Sequence, residues 1–95
     1  MYVAIQQGVY RHKIVAVTSY EADAVRASIE FLKNEKDDYH TVDIVLFRDG
    51  QEISVCEIIR KDVHPRPYGR PLSTEISVLK EGAKEPYFTE EIFFP

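Results

Sequence analysis

The chain has 95 residues, a mass of 11.0 kDa, 44% hydrophobic residues and a formal net charge of −4. This length allows one domain, residues 1–95, and excludes multidomain enzymes and large cofactor folds. The acidic balance is atypical of a dedicated nucleic-acid-binding protein, so we expect no stable nucleic-acid binding. No apolar run approaches the ~20 residues of a membrane span, and the one cysteine cannot form an internal disulfide. We therefore expect a cytoplasmic protein that does not enter a membrane.

Two alternating segments and a helix are predicted in the first third of the chain. Residues 1–6 and 12–17 alternate as strands do, and Gly8 lies in or near the turn between them. Thr18 and Glu21 have the spacing of a capping box, which predicts a helix over residues 19–34. Apolar residues recur along this segment at helical spacing, so one face of the helix is expected to pack on a sheet.

The clearest signal in the sequence is a β-hairpin formed by residues 40–48 and 51–59. Asp49-Gly50 between them is a preferred two-residue type I′ turn. With that turn, the numbers of paired residues sum to 99. The predicted pairs include Leu46 with Ile53, Ile44 with Val55, Val42 with Glu57, and Asp43 with Cys56.

Residues 60–73 are predicted to form an extended basic loop. Their three prolines and one glycine are incompatible with a helix or an internal strand. Loops of this length are often functional, and arginine is suited to binding phosphate or carboxylate. The predicted ligand-binding residues are four cations, Arg60, Lys61, Arg66 and Arg70, with His64 and Tyr68 as stacking groups. In the alternative interpretation, the cations only pair with the acidic residues Glu81, Glu85, Glu90 and Glu91.

The C-terminal segment is predicted to add two strands, over residues 74–80 and 87–94. The complete order, β-β-α-β-β-loop-β-β, is typical of an α+β fold in which one helix packs on one face of an antiparallel sheet. The other sheet face then needs a cover, either the aromatic tail or another subunit. We expect a homo-oligomer whose interface residues are aromatic or aliphatic: Tyr87, Phe88, Ile92, Phe93 and Phe94.

Several short motifs stand out in the first half of the chain. They are Tyr10-Arg11-His12-Lys13-Ile14-Val15, Val17, Glu21-Ala22, Asp37-Asp38-Tyr39-His40 and Val42. Through these motifs the chain resembles, over about residues 1–47, a group of short, mostly uncharacterised proteins encoded by bacteriophages. The resemblance implies a ββαβ core and a phage context, and it implies no activity.

Catalytic and metal sites have little support in the sequence. Cys56 lies on a central strand with no base evident nearby, so it is expected to be a packed residue and not a nucleophile. Asp37, Asp38 and His40 could in principle bind a metal, but they also suit the solvated turn before a strand. We therefore expect no metal, no cofactor and no enzymatic activity.

Three hypotheses for the function remain. The first is a non-enzymatic phage-type binding protein that interferes with a host process such as defence. It would bind a host protein, or it would sequester a small anionic ligand, such as a signalling nucleotide, through the basic loop. The second is an assembly protein that acts only through its aromatic C-terminal strand. The third is a metal-dependent hydrolase or nuclease that uses Asp37, Asp38 and His40.

Overall fold

The computed structural model describes residues 1–8, 12–34, 41–63 and 71–94. These residues form six strands and one helix in the predicted order. The elements are β1 (Tyr2–Gln7), β2 (His12–Thr18), α1 (Glu21–Asn34), β3 (Thr41–Arg48), β4 (Gln51–Asp62), β5 (Ser73–Lys80) and β6 (Phe88–Phe93).

The six strands form one antiparallel sheet in the order β2-β1-β3-β4-β5-β6, and α1 packs on one of its faces. This arrangement confirms the predicted fold class. Buried side chains between the two layers come from α1 and from every second residue of the central strands. They are Ala4, Ala24, Leu32, Val42, Ile44, Cys56, Ile58, Ile76 and Val78. We call this side of the sheet the helix face and the opposite side the open face.

The predicted β3–β4 hairpin forms, but half of its predicted register is wrong. Asp49 and Gly50 have φ values of 52° and 75°, as a type I′ turn requires, and the predicted pairing holds from the turn to Val45–Ser54. A bulge then shifts the register, so that Ile44 pairs with Cys56 and Val42 with Ile58. The reason lies in the packing. An unbroken register would place the Glu57 carboxylate in the core, whereas the bulge buries Ile58.

The boundaries predicted for the basic loop are also wrong. Strand β4 continues through Arg60, Lys61 and Asp62, and Ser73 already belongs to β5. Prolines begin only at position 65, so the backbone N–H groups of residues 60–62 remain available for the sheet. The pairs Arg60–Ile76, Lys61–Glu75 and Asp62–Thr74 extend the ladder, and the Val63 amide donates to the Ser73 carbonyl.

Helix α1 begins two residues later than predicted, and the predicted capping box does not form. The Thr18 hydroxyl accepts a hydrogen bond from the Tyr20 amide at 3.3 Å, and the Ala24 amide donates to the Tyr20 carbonyl. The Glu21 carboxylate does not turn back to Thr18 but pairs with Lys80 on β5. A contact between layers therefore replaces the local cap.

Candidate binding surfaces

The open face carries an apolar patch on β1, β2 and β3. Its side chains alternate with those of the core, so the pairing of the strands places them side by side. Ile14 is 63% exposed, and Val17 and Phe47 are also exposed. The apolar patch consists of these three exposed side chains together with the half-buried Val3 and Ile5 and the buried Val45 among them. Contiguous exposed apolar side chains of this kind mark interaction surfaces.

Carboxylates dominate the charge of the open face beside the apolar patch. Strand pairing places them on β3, β4, β5 and β6, and all but Glu75 lie opposite only other carboxylates or neutral residues. They are Asp43, Glu52, Glu57, Glu75 and Glu91. Among the described strands, Lys61 is the lysine on this face, and it lies opposite Glu75. The open face is therefore acidic.

Two of these carboxylates form a pair at the centre of the open face. Asp43 and Glu57 are directly opposite each other on β3 and β4, flanked by Ile5 on β1 and Leu79 on β5. Burial raises the pKa of the Glu57 carboxyl, and the charge of Asp43, a hydrogen bond to Asp43 and the charge of Glu81 raise it further. A cation placed against this pair would relieve the repulsion between the two acids.

The structure does not bring the predicted ligand-binding cations Arg60 and Lys61 together. They are neighbours on β4, so their side chains point to opposite sheet faces. The Arg60 side chain is 10% exposed, donates to the Leu32 carbonyl at 2.9 Å and lies 3.8 Å from Asp62. Lys61 is exposed on the open face. The remaining predicted ligand-binding residues, His64, Arg66, Tyr68 and Arg70, lie outside the described residues.

The predicted interface residues are divided between the two sides of the sheet. Strand β6 is an edge strand of the sheet, so the tail extends the sheet and does not cover the open face. Ile92 packs against the core, Phe93 is 72% exposed on the open face, and the half-buried Phe94 donates its amide to the Leu72 carbonyl. Tyr87 and Phe88 line a groove on the helix face.

This groove, which we call the helix groove, runs between α1 and the β5–β6 hairpin. It has a volume of about 580 Å³. Its lining residues are Glu21, Ala22, Val25, Arg26, Ile29, Val78, Lys80, Tyr87 and Phe88. Ion pairs between the layers, Glu21–Lys80 and Lys33–Glu90, link the helix to the two strands that border the groove.

The residues considered for catalysis show no arrangement for it within the described ranges. Cys56 is 4% exposed, and burial, followed by the charge of Glu21, raises its thiol pKa to about 11. A thiol in this state is a poor nucleophile. No group of His, Cys, Asp and Glu suited to a metal occurs among the described residues. Asp37, Asp38 and His40 lie outside them, so the metal hypothesis is not tested.

No protein-family model, curated protein or solved structure matches the chain. The resemblance to phage proteins therefore stays a prediction. Helix α1, the one helix in the described ranges, lacks the length and apolar character needed to span a membrane.

Sequence reasoning expected the sheet face opposite the helix to need a cover, but it missed the acidic character of that face and it missed the helix groove. The acidic open face could have been found, because it follows from strand alternation once the register is known. The helix groove has no local signal, since its walls come from residues 21–29 and 78–88.

Proposed function

We propose that the chain is a non-enzymatic binding protein that acts by protein–protein contact through its open face. The proposed partner is a protein whose surface presents Lys or Arg side chains beside aliphatic ones. The observation that carries this proposal is the combination, on one face that no described element covers, of the apolar patch and the adjacent Asp43–Glu57 pair.

The size of the open face supports a macromolecular partner over a small molecule. The fold measures 47 × 29 × 20 Å. Its two longer dimensions enclose more than the ~800 Å² per partner that a standard protein interface buries. Its shortest dimension fits a helix layer on a sheet layer, and residues 1–8, 12–34, 41–63 and 71–94 form no third layer. The apolar patch would form the dry part of the interface, with the Asp43–Glu57 pair beside it on the two middle strands, and the carboxylates of β5 and β6 would lie toward the rim.

The charge of the open face favours a basic partner over a second copy of this chain. Stacking two copies face to face would bring like charges together around Asp43 and Glu57, which costs free energy. A guanidinium or ammonium group from another protein would pair with these carboxylates instead. Electrostatic attraction of this kind raises the association rate and makes it sensitive to salt.

The resemblance to phage proteins would make the partner a host protein and the outcome interference with a host process, such as defence. Anion binding by residues 60–70 is a separate prediction, to which the exposed Lys61 would contribute. Arg60 would instead anchor the base of that segment through its bond to Leu32.

A titration with butylguanidinium, the charged end of an arginine side chain joined to an aliphatic chain, tests the proposal. We expect ¹⁵N amide shifts that centre on Ile5, Asp43 and Glu57. Butyrate, which has the opposite charge, is the matched control and should leave these amides unmoved. Equal shifts with both compounds, or guanidinium shifts that centre on the helix face, would contradict the proposal.

Light scattering on the wild-type chain and on an Ile14→Asp variant tests the alternative that a second copy of the chain covers the open face. We expect both proteins to have the mass of a single chain at micromolar concentration. A wild-type dimer that Ile14→Asp dissociates would show that a second copy covers the open face. That result would overturn the basic partner in favour of the predicted homo-oligomer.

A further inference from the structure

Strand β6 forms one edge of the sheet, and no described residue pairs with its outer side. Its pairing with β5 is unbroken from Phe88 to Phe93, whereas β2, at the other edge, pairs with β1 through a register shift. A bulge of that kind disrupts an edge and discourages further pairing. Of the two edges, β6 is therefore the regular one, on which another strand can form a ladder.

The hydrogen bonds of β6 show which of its backbone groups face outward. The Phe94 amide donates to the Leu72 carbonyl, in register with the β5–β6 ladder. Because the N–H and C=O groups of successive residues point to alternate sides of a strand, the even-numbered residues of β6 direct theirs to β5. Thr89, Glu91 and Phe93 consequently direct theirs away from the sheet. Their side chains are exposed as well.

A row of charged side chains crosses the open face and ends at Glu91. Strand pairing places Glu75 opposite Lys61 on one side and opposite Glu91 on the other. Directly opposed carboxylates destabilise a sheet, and the Ser73 hydroxyl, which donates to Glu91 at 2.8 Å, is neutral. One lysine against two glutamates leaves the row with one net negative charge. A cation on a strand added beyond β6 would give Glu91 the neighbour of opposite charge that Glu75 has in Lys61.

The neighbours of Glu91 on the same face define the rest of the complementary strand. Phe93 is 72% exposed, so an apolar side chain placed opposite it would remove apolar surface from water. The Thr89 hydroxyl lies 3.3 Å from that of Ser77, and pairs of hydroxyl side chains are favourable between strands. The outer edge of β6 therefore suits a strand with an apolar, a basic and a hydroxyl side chain at alternate positions.

A second copy of β6 does not have this complementarity. Antiparallel pairing of two β6 strands opposes residues that lie on the same face of the sheet. The central registers of this kind place Glu90 opposite Glu90, or Glu91 opposite Glu91, and like charges so placed repel. Charged side chains on an edge strand discourage its pairing with itself. The edge therefore favours a strand of another protein that carries a cation.

We infer that the outer edge of β6 binds an extended, basic segment of a partner protein, which adds a seventh strand antiparallel to β6. A Lys or Arg side chain of this segment lies opposite Glu91, and an apolar side chain two residues before it lies opposite Phe93. Backbone hydrogen bonds provide affinity in this mode of recognition, and side chains provide specificity. The site does not depend on the proposed function, because it lies three strands away from Asp43.

An NMR titration with the peptide acetyl-Val-Val-Arg-Thr-Thr-Val-amide tests this inference. With the arginine opposite Glu91, the six residues of the peptide span β6 from Phe93 to Phe88. We expect ¹⁵N amide shifts that centre on Glu91 and on the neighbouring residues of β6. Shifts that centre on Asp43 and Glu57 would place the peptide on the open face and overturn the inference. The absence of any shift at millimolar peptide would overturn it too.

Two N-methylated forms of the peptide separate strand addition from a contact between side chains alone. In the added strand, the arginine N–H points to β6 and the N–H of the following threonine points away from it. Methylation of the arginine nitrogen should weaken binding about tenfold, because a backbone hydrogen bond is lost. Methylation of the threonine nitrogen should change the affinity by less than about twofold. Equal losses for the two peptides would overturn strand addition.

A peptide with glutamate in place of arginine tests the contact with Glu91. It should bind the wild-type protein about fivefold more weakly than the arginine peptide. Glu91→Gln should remove this preference, whereas Glu90→Gln, on the helix face beside Lys33, should keep it. An unchanged preference in Glu91→Gln would overturn the assigned contact. The N-methylated peptides keep the test decisive if a variant does not fold, because they use the wild-type protein.

Discussion

Arg60 offers a sharp test of the structure, because the sequence suggested a ligand contact and the structure gives it a role in folding. Its guanidinium Nη1 donates to the carbonyl of Leu32, in the last turn of α1, at 2.9 Å. Its Nε lies 3.8 Å from an Asp62 carboxylate oxygen. Arg60 therefore joins strand β4 to the end of the helix, at a position where the carbonyl groups lack partners within the helix.

The expected cost of Arg60→Met follows from these contacts. A hydrogen bond that involves a charged group contributes about 1.5–3 kcal/mol. The methionine keeps most of the apolar stem, so the loss is mainly polar. We expect a decrease of about 2 kcal/mol in the free energy of unfolding, which is about 8–16 °C in Tm for a domain of this size.

Urea unfolding followed by circular dichroism measures this change. Lys61→Met is the matched control, since it removes the same charge from the adjacent, exposed position and should change stability by less than about 0.5 kcal/mol. The free energy of unfolding of Arg60→Lys should lie between those of the wild type and Arg60→Met, because lysine keeps the charge but lacks the planar guanidinium and its several N–H donors. Equal unfolding midpoints for Arg60→Met and Lys61→Met would refute the structural role of Arg60.

Three further predictions concern the sheet. The raised pKa of Glu57 means that the folded state holds the proton of this carboxyl more tightly than the unfolded state does. The stability that protonated Glu57 contributes is therefore present at low pH and lost as pH rises through the pKa of the folded state. The free energy of unfolding of Glu57→Gln, measured with urea, should therefore exceed that of the wild type by about 0.5 kcal/mol at pH 7 and equal it at pH 4. An equal gain at both pH values would argue against repulsion from Asp43. With a pKa of about 11, about one Cys56 thiol in a thousand should be ionised at pH 8, and the thiol should react with a disulfide reagent only after unfolding. The stability that the buried neutral thiol contributes should be lost as pH rises from 9 toward 11. Rapid labelling of the native protein would contradict the burial of Cys56. Ile58→Ala should lower the free energy of unfolding by about 2–5 kcal/mol, because Ile58 is fully buried. A decrease below about 1 kcal/mol would show that the bulge does not place Ile58 in the core.

Much of the fold could be predicted because its signals are local. Asp49-Gly50 defines its turn through two adjacent positive φ angles, and the alternation of β3 then predicts a strand. The helix follows from its apolar spacing. These features depend on neighbours in sequence, which a single chain displays directly.

The parts that could not be predicted depend on partners distant in sequence. The bulge between Ile44 and Val45 in the β3–β4 ladder arises because Ile58 competes with Glu57 for the core beneath α1. Glu21 leaves the predicted cap because Lys80 lies across the groove. Residues 60–62 become strand because β5 pairs with them. The same limit applies to the helix groove, whose walls come together only in the folded chain.

The most direct test of the proposed function compares butylguanidinium binding to the wild type, Glu57→Gln and Glu90→Gln by NMR at pH 7. Glu57 lies in the acidic centre of the open face, whereas Glu90 carries the same charge on the helix face, beside Lys33. We expect Glu57→Gln to reduce the amide shifts at Ile5 and Asp43 several-fold, and Glu90→Gln to leave them at the wild-type values. Equal shifts in all three proteins would contradict the claim that the open face binds a basic partner through this carboxylate pair.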